Sequence, residues 1–310
     1  MTIRNAAAKL KIRKHGRVSL FDAVNISMLL LITFLCLYPI YYAVIASFSD
    51  YNAVATGLVG LVPIGFQLTA YRAVFENQQV WLGYRNTILY TVGGTAFNLF
   101  LTIPSAYAMS KKRMLGHKLL SWFFLITMYF GGGMIPTYLL NKSLGLVNNP
   151  MIMVISGGLS VYNMIVTRTY FQNSIPESLY EAGRIDGSNE IGLFFRVALP
   201  LSMPIVAVMC LYYAVGHWNG YFTALIYLTK TKWQPLALVL RRILIMNQTA
   251  LDDAVASADP NLLANAVTRA NLVVTMKYAL VMIASIPMLI LYPFIQKYFV
   301  KGVMIGSVKG

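Results

Sequence analysis

Six long apolar segments, separated by more polar stretches of different lengths, decide what this chain can fold into. They lie at about residues 23–48, 86–110, 119–141, 147–169, 199–229 and 278–297. A helix needs roughly 20 predominantly apolar residues to cross the hydrocarbon core of a bilayer, so each segment is long enough for one span. Hydrophobic residues make up 58% of the chain and charged residues 11%, against about 25% charged residues in soluble domains. The sequence predicts an all-α membrane protein with six transmembrane helices within residues 23–300.

The positive charges indicate how the chain is oriented. Lys and Arg are concentrated in the N-terminal segment, residues 1–22, after the second apolar segment, and in the tail, residues 301–310. They are more numerous on the side of the termini, and the positive-inside rule places that side in the cytoplasm. Because the formal net charge of +15 lies beside the spans, it predicts contact with the lipid bilayer of the plasma membrane and not with nucleic acid.

The fifth apolar segment contains its own interruption. Two prolines lie near its start, and the sequence Gly-His-Trp-Asn-Gly lies in its middle. We expect a helix that begins near Pro200 and is interrupted around Trp218, which is tolerated at membrane depth only where protein or a water-filled cavity covers the backbone. The two long outer segments, 50–85 and 230–277, are each expected to hold a short helix.

The sequence lacks the patterns that would indicate an enzyme. The three histidines lie far apart, without Cys, Asp or Glu at ligand spacing, which predicts no metal site. A phosphate-binding loop, a nucleophile elbow and a zinc-protease helix are also missing from the sequence. The interiors of the spans carry no acidic or basic side chain other than His217, which we expect to be packed. We predict that the chain is not an enzyme and needs no cofactor.

A charged insert at residues 174–198 separates the fourth and fifth apolar segments. Ser174 is expected to cap a first helix that has Pro176 in its first turn and ends at Gly187. Ser188 is expected to cap a second helix. The apolar faces consist of Leu179, Ala182 and Ile185 in the first helix and Ile191, Phe194 and Phe195 in the second. Such a helical knob, with apolar anchors and a polar rim, suits a groove on another protein.

The insert resembles the EAA loop of permease subunits in binding-protein-dependent ABC importers. That pattern has Glu-Ala-Ala, three residues, Gly, nine residues, and Ile-x-Leu-Pro. The sequence matches it with Glu181-Ala182-Gly183, Gly187, and Leu199-Pro200 preceded by Val197. Glycine at 183 and valine at 197 depart from the pattern. Glycine is expected to loosen the helix by up to about 1 kcal/mol relative to alanine without preventing docking. The sequence Ile-Asp-Gly at 185–187 is similar to the sugar-importing members.

Three further stretches are similar to the smaller permease of maltose-type and other oligosaccharide importers. They are GGGMIPTYLLNKSLGLVNNP, HWNGYFTALIYL and FVKGVMIGSVKG, and the resemblance covers about residues 20–310. It implies the fold of an ABC type I importer permease and a carbohydrate substrate. It also implies a second homologous permease that forms the other half of the pathway, cytoplasmic ATP-binding subunits, and an extracytoplasmic solute-binding protein. It does not indicate which sugar is carried.

The resemblance also implies which residues contact the ATPase. In the family, the loop of each permease docks in a cleft of a cytoplasmic ATPase, and a similar C-terminal tail reaches towards the ATPase pair. The implied contacts in this chain are Glu181, Ala182, Gly183, Ile185, Asp186, Gly187, Leu199 and Pro200 in the loop, and Gly306, Lys309 and Gly310 in the tail.

Polar and aromatic residues in the spans are candidates for the pathway of a sugar. A sugar ring is apolar on its faces and polar at its edges, so aromatic rings and amides suit it. Such side chains also bond neighbouring helices or lie at the membrane interface, and that alternative stays open. Trp218 and Asn219 are favoured because they lie at the expected interruption. The candidates are Asn98, Thr102, Ser105, Tyr129, Tyr138, Asn163, Trp218, Asn219 and Tyr221.

One alternative function stays open at this point. A six-span secondary carrier that is not driven by ATP would share the apolar composition and the missing enzyme patterns. Such carriers commonly place ionisable groups near the bilayer midplane, and their scarcity here favours the ATP-driven importer.

Overall fold

The computed structural model describes residues 20–111, 113–257 and 259–307, and all regular secondary structure in these ranges is helical. In chain order the helices are α1 (Leu20–Ser47), α2 (Tyr51–Ala55), α3 (Thr69–Glu76), α4 (Gln78–Ser110), α5 (His117–Tyr129), α6 (Met134–Ser143), α7 (Ile152–Ile155), α8 (Val161–Ser174), α9 (Glu177–Ile185), α10 (Glu190–Leu193), α11 (Leu199–Leu201), α12 (Met203–Trp218), α13 (Tyr221–Tyr227), α14 (Leu236–Ser257) and α15 (Pro260–Ser307). Most of the predicted N-terminal segment, 1–22, lies outside the described residues, as do Lys309 and Gly310 of the predicted tail.

Three helices in the described ranges are long and apolar enough to cross a membrane by themselves. They are α1 with 28 residues, α4 with 33 residues, and the part of α15 up to Pro293. The predicted spans 23–48, 86–110 and 278–297 fall on these helices. Since each residue of a helix adds about 1.5 Å, α4 and α15 extend beyond the hydrocarbon core.

The third predicted span, 119–141, is wrong as a single straight helix. Helices α5 and α6 meet at an angle of 112° across residues 130–133, where three consecutive glycines replace helix-forming residues. Gly133 adopts a φ of +85°, a conformation that glycine enters without steric cost. The segment is therefore a bent helix pair.

The fourth predicted span, 147–169, is also wrong as a continuous helix. The four-residue helix α7 and helix α8 are separated by a turn in which Gly157 has a φ of +69°. The side-chain amide of Asn98 on α4 donates to the carbonyl oxygens of Gly157 and Gly158, at 3.0 and 2.7 Å. Non-helical backbone at membrane depth needs such internal partners, so the turn is stabilised by its contact with α4.

The fifth predicted span, 199–229, has the interruption expected around Trp218. Helix α12 ends at Trp218 and α13 begins at Tyr221. The start differs from the prediction, because Pro200 belongs to the three-residue turn α11 and α12 begins only at Met203, after a bend of 79°. The two halves of this segment are thus separate helices.

The outer segments contain more helix than predicted. Helices α2 and α3 are the short helices of 50–85, but α14 alone has 22 residues, and α15 begins well before the predicted sixth span. The single short helix expected within 230–277 is therefore wrong. Leu236 and Val239 of α14 pack on Val273 of α15 and its neighbours, and burial of apolar faces in this way stabilises helices beyond their intrinsic propensity.

Helix α4 is central to the bundle. It packs against α12, α8 and α14, and one of its faces carries polar side chains at helical spacing. These are Thr87, Thr91, Thr95, Asn98 and Thr102, each less than one-tenth exposed. Small polar residues of this kind allow membrane helices to approach closely. The α4–α12 contact is therefore a close, partly polar one.

Candidate functional site

The charged insert folds into a helical knob, defined here as residues 174–198. Helix α9 follows Pro176, whose fixed φ suits the start of a helix, and the chain turns at Gly187, which has a φ of +80°. Ser174 does not cap α9, because it is the last residue of α8. The helix and its end are thus where the sequence predicted, and the capping residue is not.

The second helix of the knob is short and irregular. Asn189, and not Ser188 as predicted, caps α10, and its side-chain oxygen accepts a hydrogen bond from the Gly192 amide at 2.8 Å. The helix then widens into a π-helical turn at Phe194–Ala198 before α11. Such turns are frequent at functional sites, and this one connects the knob directly to the fifth span.

An aromatic cluster ties the knob to the end of α4. The ring centre of Tyr107 on α4 lies 5.1 Å from that of Phe194, 5.7 Å from Phe171 and 6.2 Å from Tyr180. These three rings belong to the turn after α10, to α8 and to α9. Leu193 is fully buried in the same cluster. Because an aromatic pair adds about 0.5–1.5 kcal/mol beyond its area burial, the knob and the ends of α4 and α8 form one packed unit.

Lys111, directly after α4, adds a cation to this cluster. Its Nζ lies 3.0 Å from the centre of the Tyr180 ring and 5.0 Å from that of Tyr107. Burial lowers the pKa of Lys111, and the carboxylates of Glu177 and Glu190 oppose that change. Burial also raises the pKa of Tyr180 to about 12. The ammonium group therefore holds α9 against the end of α4 through a cation–π contact.

Arg184 links the two helices of the knob. Its guanidinium donates to Oε1 of Glu190 at 3.1 Å and lies 3.6 Å from a carboxylate oxygen of Glu177. The hydrogen bond with Glu190 is the main reason why the pKa of Arg184 is raised. The Tyr107 hydroxyl donates to the other oxygen of Glu190 at 3.3 Å. Exposed ion pairs add little stability, so this network mainly fixes the geometry of the knob.

The outward surface of the knob carries most of the residues implied for docking. Ile185 is 86% exposed and Ile191 is 68% exposed, whereas the inner side of the knob is buried. Also exposed are Glu181, Ala182, Asp186, Gly187 and Pro200. Leu199 is half-buried, and Gly306 lies in the last turn of α15. An apolar centre with a polar rim is therefore available to a partner.

Gly183 has a role that the sequence analysis did not predict. It is half-buried, and a Cβ atom at this position would come within 2.5 Å of Cδ2 of Leu193. A side chain at this position would therefore require Leu193 to shift. This steric effect adds to the loosening of the helix that was expected of glycine.

A cavity of about 660 Å³ lies beside the break between α12 and α13 and is also lined by α14 and α15. The Trp218 indole in its wall donates to the carbonyl oxygen of Ala284 at 3.1 Å and meets the Tyr84 ring edge-on at 5.9 Å. Asn219 is exposed, and its amide donates to the carbonyl of Val215 at 3.0 Å. An aromatic ring and an amide thus line one cavity, which is a combination that suits a sugar.

Asn98 and His217 meet at a smaller cavity of about 220 Å³. The Nε2 atom of His217 shares a hydrogen bond with Oδ1 of Asn98, whose amide is already bonded to the turn between α7 and α8. Gly94 gives the imidazole room, because a Cβ atom at that position would overlap the ring. The polar atoms of Asn98 are therefore engaged within the chain, which favours a structural role. His217 is half-buried and packed, as expected.

The other pathway candidates are dispersed. Tyr129 is 74% exposed at the end of α5, and Asn163 is buried on α8. Tyr138 stacks on Tyr227, with ring centres 5.7 Å apart. Thr102 is buried and shares a hydrogen bond of 2.7 Å with Tyr213, and Ser105 is half-buried on α4. Only Tyr221, at the start of α13, lies close to Trp218 and Asn219 in the chain.

Two cations that the sequence analysis did not propose as site residues lie at these places. Lys111 follows Tyr107 by one helical turn, a spacing that could have indicated their contact. Arg241 on α14 has its guanidinium carbon 6.0 Å from the centre of the Tyr221 ring. No local spacing could have indicated this second contact, because the two residues belong to different helices.

Comparison with known proteins identifies the family. Residues 80–305 match the family described as the inner membrane component of binding-protein-dependent transport systems. The chain belongs to this family. It is therefore a multi-pass membrane component of an ABC importer and not an enzyme, and it works with a binding protein, ATP-binding subunits and a second permease. The family inferred by resemblance is confirmed, and the secondary carrier is excluded.

Two proteins of Bacillus subtilis (strain 168) are similar to this permease over almost the whole chain. One is the polygalacturonan/rhamnogalacturonan transport system permease protein YtcP, which is 37% identical over 295 residues, covering 94% of this chain and 99% of that protein. The other is protein LplC, which is 39% identical over 297 residues, covering 96% of this chain and 97% of that protein.

Solved structures support the same fold. A chain in the crystal structure of a bacterial ABC transporter involved in the import of the acidic polysaccharide alginate has a TM-score of 0.80 and 33% identity, over 92% of this chain and 99% of that chain. A second alginate ABC transporter structure, in complex with an alginate pentasaccharide-bound periplasmic protein, has a TM-score of 0.54 and 15% identity, over 89% of this chain and 93% of that chain. The second likeness concerns the fold alone. The permease has the type I importer fold.

Proposed function

We propose that this permease imports oligosaccharides and forms half of their translocation pathway, with a homologous permease as the other half. The family supplies the binding-protein-dependent mechanism. The names of the similar proteins support a carbohydrate, since YtcP is named for polygalacturonan and rhamnogalacturonan and the similar structure is of an alginate importer. Polygalacturonan and alginate consist of uronic acids. Fragments of an acidic polysaccharide are therefore the proposed substrate.

The knob is proposed to dock in a cleft of a cytoplasmic ATPase. The observation that most supports this is its division into two sides: Tyr180 and Leu193 are buried against the bundle, whereas Ile185 and Ile191 are exposed. Apolar anchors with a polar rim are typical of helix-in-groove docking. ATP-driven closure of the ATPase pair would move the knob with α4 and α8, and so switch the pathway between inward and outward openings.

Six spans with both termini in the cytoplasm are the proposed topology. The three long helices and the two bent pairs account for five spans, and α7 with α8 would form the remaining one. The excess of Lys and Arg beside the termini supports the cytoplasmic assignment. Gly306 would then lie on the same side as the knob. Lys309 and Gly310 are proposed as ATPase contacts from the resemblance of the tail.

Trp218, Asn219 and Tyr221 are the proposed pathway residues. Their support is the helix break, since discontinuous helices form the substrate sites of many transporters, and the cavity that Trp218 and Asn219 line. The structure gives weaker support to the dispersed candidates, which are Asn98, Thr102, Ser105, Tyr129, Tyr138 and Asn163.

Reconstituted transport tests docking and pathway separately. The permease is placed in proteoliposomes with its partner permease, ATPase and loaded binding protein. Glu181→Lys reverses a charge on the exposed side of the knob, and we expect it to insert normally but to reduce uptake by more than about tenfold, since opposing a charge at an interface costs several kcal/mol. Trp218→Ala and Asn219→Ala are expected to reduce uptake and to keep the ATPase bound. Normal uptake by Glu181→Lys contradicts docking, and full uptake by both cavity variants contradicts the pathway.

A further inference from the structure

Two consecutive arginines on α14 differ in what they contact. The guanidinium of Arg242 donates to Oε1 of Gln79 at 2.6 Å, and its side chain is half-buried. Arg241 is exposed, and its guanidinium lies over the face of the Tyr221 ring. Among the described residues, the ion pairs involve Arg184 and not Arg241. The charge of Arg241 is therefore held in place by a ring and is available to an anion.

The location of Arg241 connects it with the proposed pathway. Ala237 and Leu240 of α14 line the larger cavity, and Arg241 follows Ala237 by one helical turn. Its ring partner, Tyr221, comes two residues after Asn219, which lines the same cavity. Neither Arg241 nor Tyr221 is itself in the cavity wall, but both are near neighbours in the chain of residues that are, where the break between α12 and α13 contacts α14.

The walls of the two cavities carry no fixed negative charge. Neither cavity has an acidic side chain in its wall. In the sequence, no Asp or Glu occurs between Glu76 and Glu177, between Glu190 and Asp252, or after Asp259. These stretches supply all the cavity-lining residues. An anionic ligand would meet the Arg241 charge there without a carboxylate to repel it.

We infer that Arg241 is a specificity-determining residue that binds the carboxylate of a uronic acid unit as an acidic oligosaccharide enters the pathway. The inference rests on the proposed function and assigns a residue to it. A guanidinium offers a carboxylate two parallel hydrogen bonds, which a neutral sugar cannot accept in the same way. The Tyr221 ring fixes the guanidinium plane from one side. Trp218, in the wall of the cavity, offers an aromatic face to the apolar side of the sugar ring.

The experiment compares the two arginines in the complete reconstituted importer. Arg241→Gln and Arg242→Gln each remove one positive charge, at adjacent positions. Arg241→Lys keeps the positive charge but cannot form the bidentate hydrogen bonds of a guanidinium. Uptake is measured for oligogalacturonate and oligomannuronate and for their methyl esters, which lack the negative charge. For each variant we also measure the concentration of binding protein that gives half-maximal stimulation of ATP hydrolysis. Because only a folded and assembled importer is stimulated, this measurement also checks folding and assembly.

We expect Arg241→Gln to reduce uptake of the acid form about tenfold relative to the ester, because a hydrogen-bonded charge contributes that much to affinity. Arg242→Gln should keep the preference of the unaltered importer for the acid form over the ester. Arg241→Lys should show a preference between those of the two glutamine variants. If both glutamine variants lost the same amount of acid-form uptake relative to the ester, the assignment would be overturned. The loss would then reflect the overall positive charge of this region and not a contact made by Arg241. The assignment would also be overturned if Arg241→Gln needed more binding protein to stimulate ATP hydrolysis but kept its preference for the acid form over the ester. That result would place Arg241 on the binding-protein interface. If the unaltered importer takes up neither acid form, the proposed substrate class itself is wrong.

Discussion

Lys111 connects the end of a spanning helix to the knob through the face of Tyr180. The contact is short and partly buried, so the ammonium has exchanged water for an aromatic face. Such a desolvated cation–π contact contributes about 2 kcal/mol. Arg184 has a different role, since its ion pairs are exposed. Of these two cations, Lys111 is therefore the one that contributes more to attachment of the knob.

Lys111→Met tests this attachment, because methionine keeps the apolar stem and removes the charge. We expect uptake to fall several-fold and the thermal stability of the purified permease to decrease, since the contact is worth about 2 kcal/mol. The matched control is Lys118→Met, which removes an exposed cation from α5 and should change neither quantity. Equal behaviour of the two variants would mean that Lys111 acts only as a positive charge at the membrane surface.

The two helices of the knob approach closely at position 183, where a Cβ atom would come within 2.5 Å of Cδ2 of Leu193. Alanine there would favour the helix by up to about 1 kcal/mol, but its methyl group would also press on the fully buried Leu193 side chain. Overpacking of this kind costs about 1–3 kcal/mol. The steric effect should therefore exceed the gain in helix propensity.

A double-mutant cycle measures that steric effect. Gly183→Ala is expected to lower the melting temperature, and Leu193→Val, which shortens the opposing side chain, to cost about 1 kcal/mol as a loss of one buried methylene. The double variant should be more stable than the sum of the two changes predicts, because the shorter side chain makes room for the new methyl group. Additive effects would show that α9 and α10 do not contact each other at Gly183.

The helices of this protein differ in how far the sequence could predict them. Apolar length predicted α1, α4 and the spanning part of α15, because each is a continuous run. It could not predict the turn between α7 and α8, since Asn98, which satisfies the freed carbonyls, lies about 60 residues earlier. The first cap of the knob was misplaced because α8 continues through Ser174 and leaves Pro176 to start α9.

At the scale of the whole molecule, the knob and the cavity lie at different parts of one connected helix system. The knob packs on α4 and α8, and α4 packs on α12, which ends at the break beside the cavity. We propose that a displacement of the knob is carried through these packed helices to the proposed pathway. The central claim is that an ATPase subunit provides this displacement by holding the exposed side of the knob.

Photo-crosslinking from a single labelled cysteine in intact membranes tests that claim most directly. Cys36 and Cys210 are first replaced, and a single cysteine is introduced at Ile185 on the exposed side of the knob or at Thr249 on α14, which is also exposed. Each cysteine is then labelled with a benzophenone maleimide, which inserts into a nearby C–H bond of a bound protein on illumination. We predict that Ile185→Cys captures the ATPase subunit, with a yield that changes when ATP is added, and that Thr249→Cys does not. Capture of the ATPase from position 249, or no capture from position 185, would contradict the account.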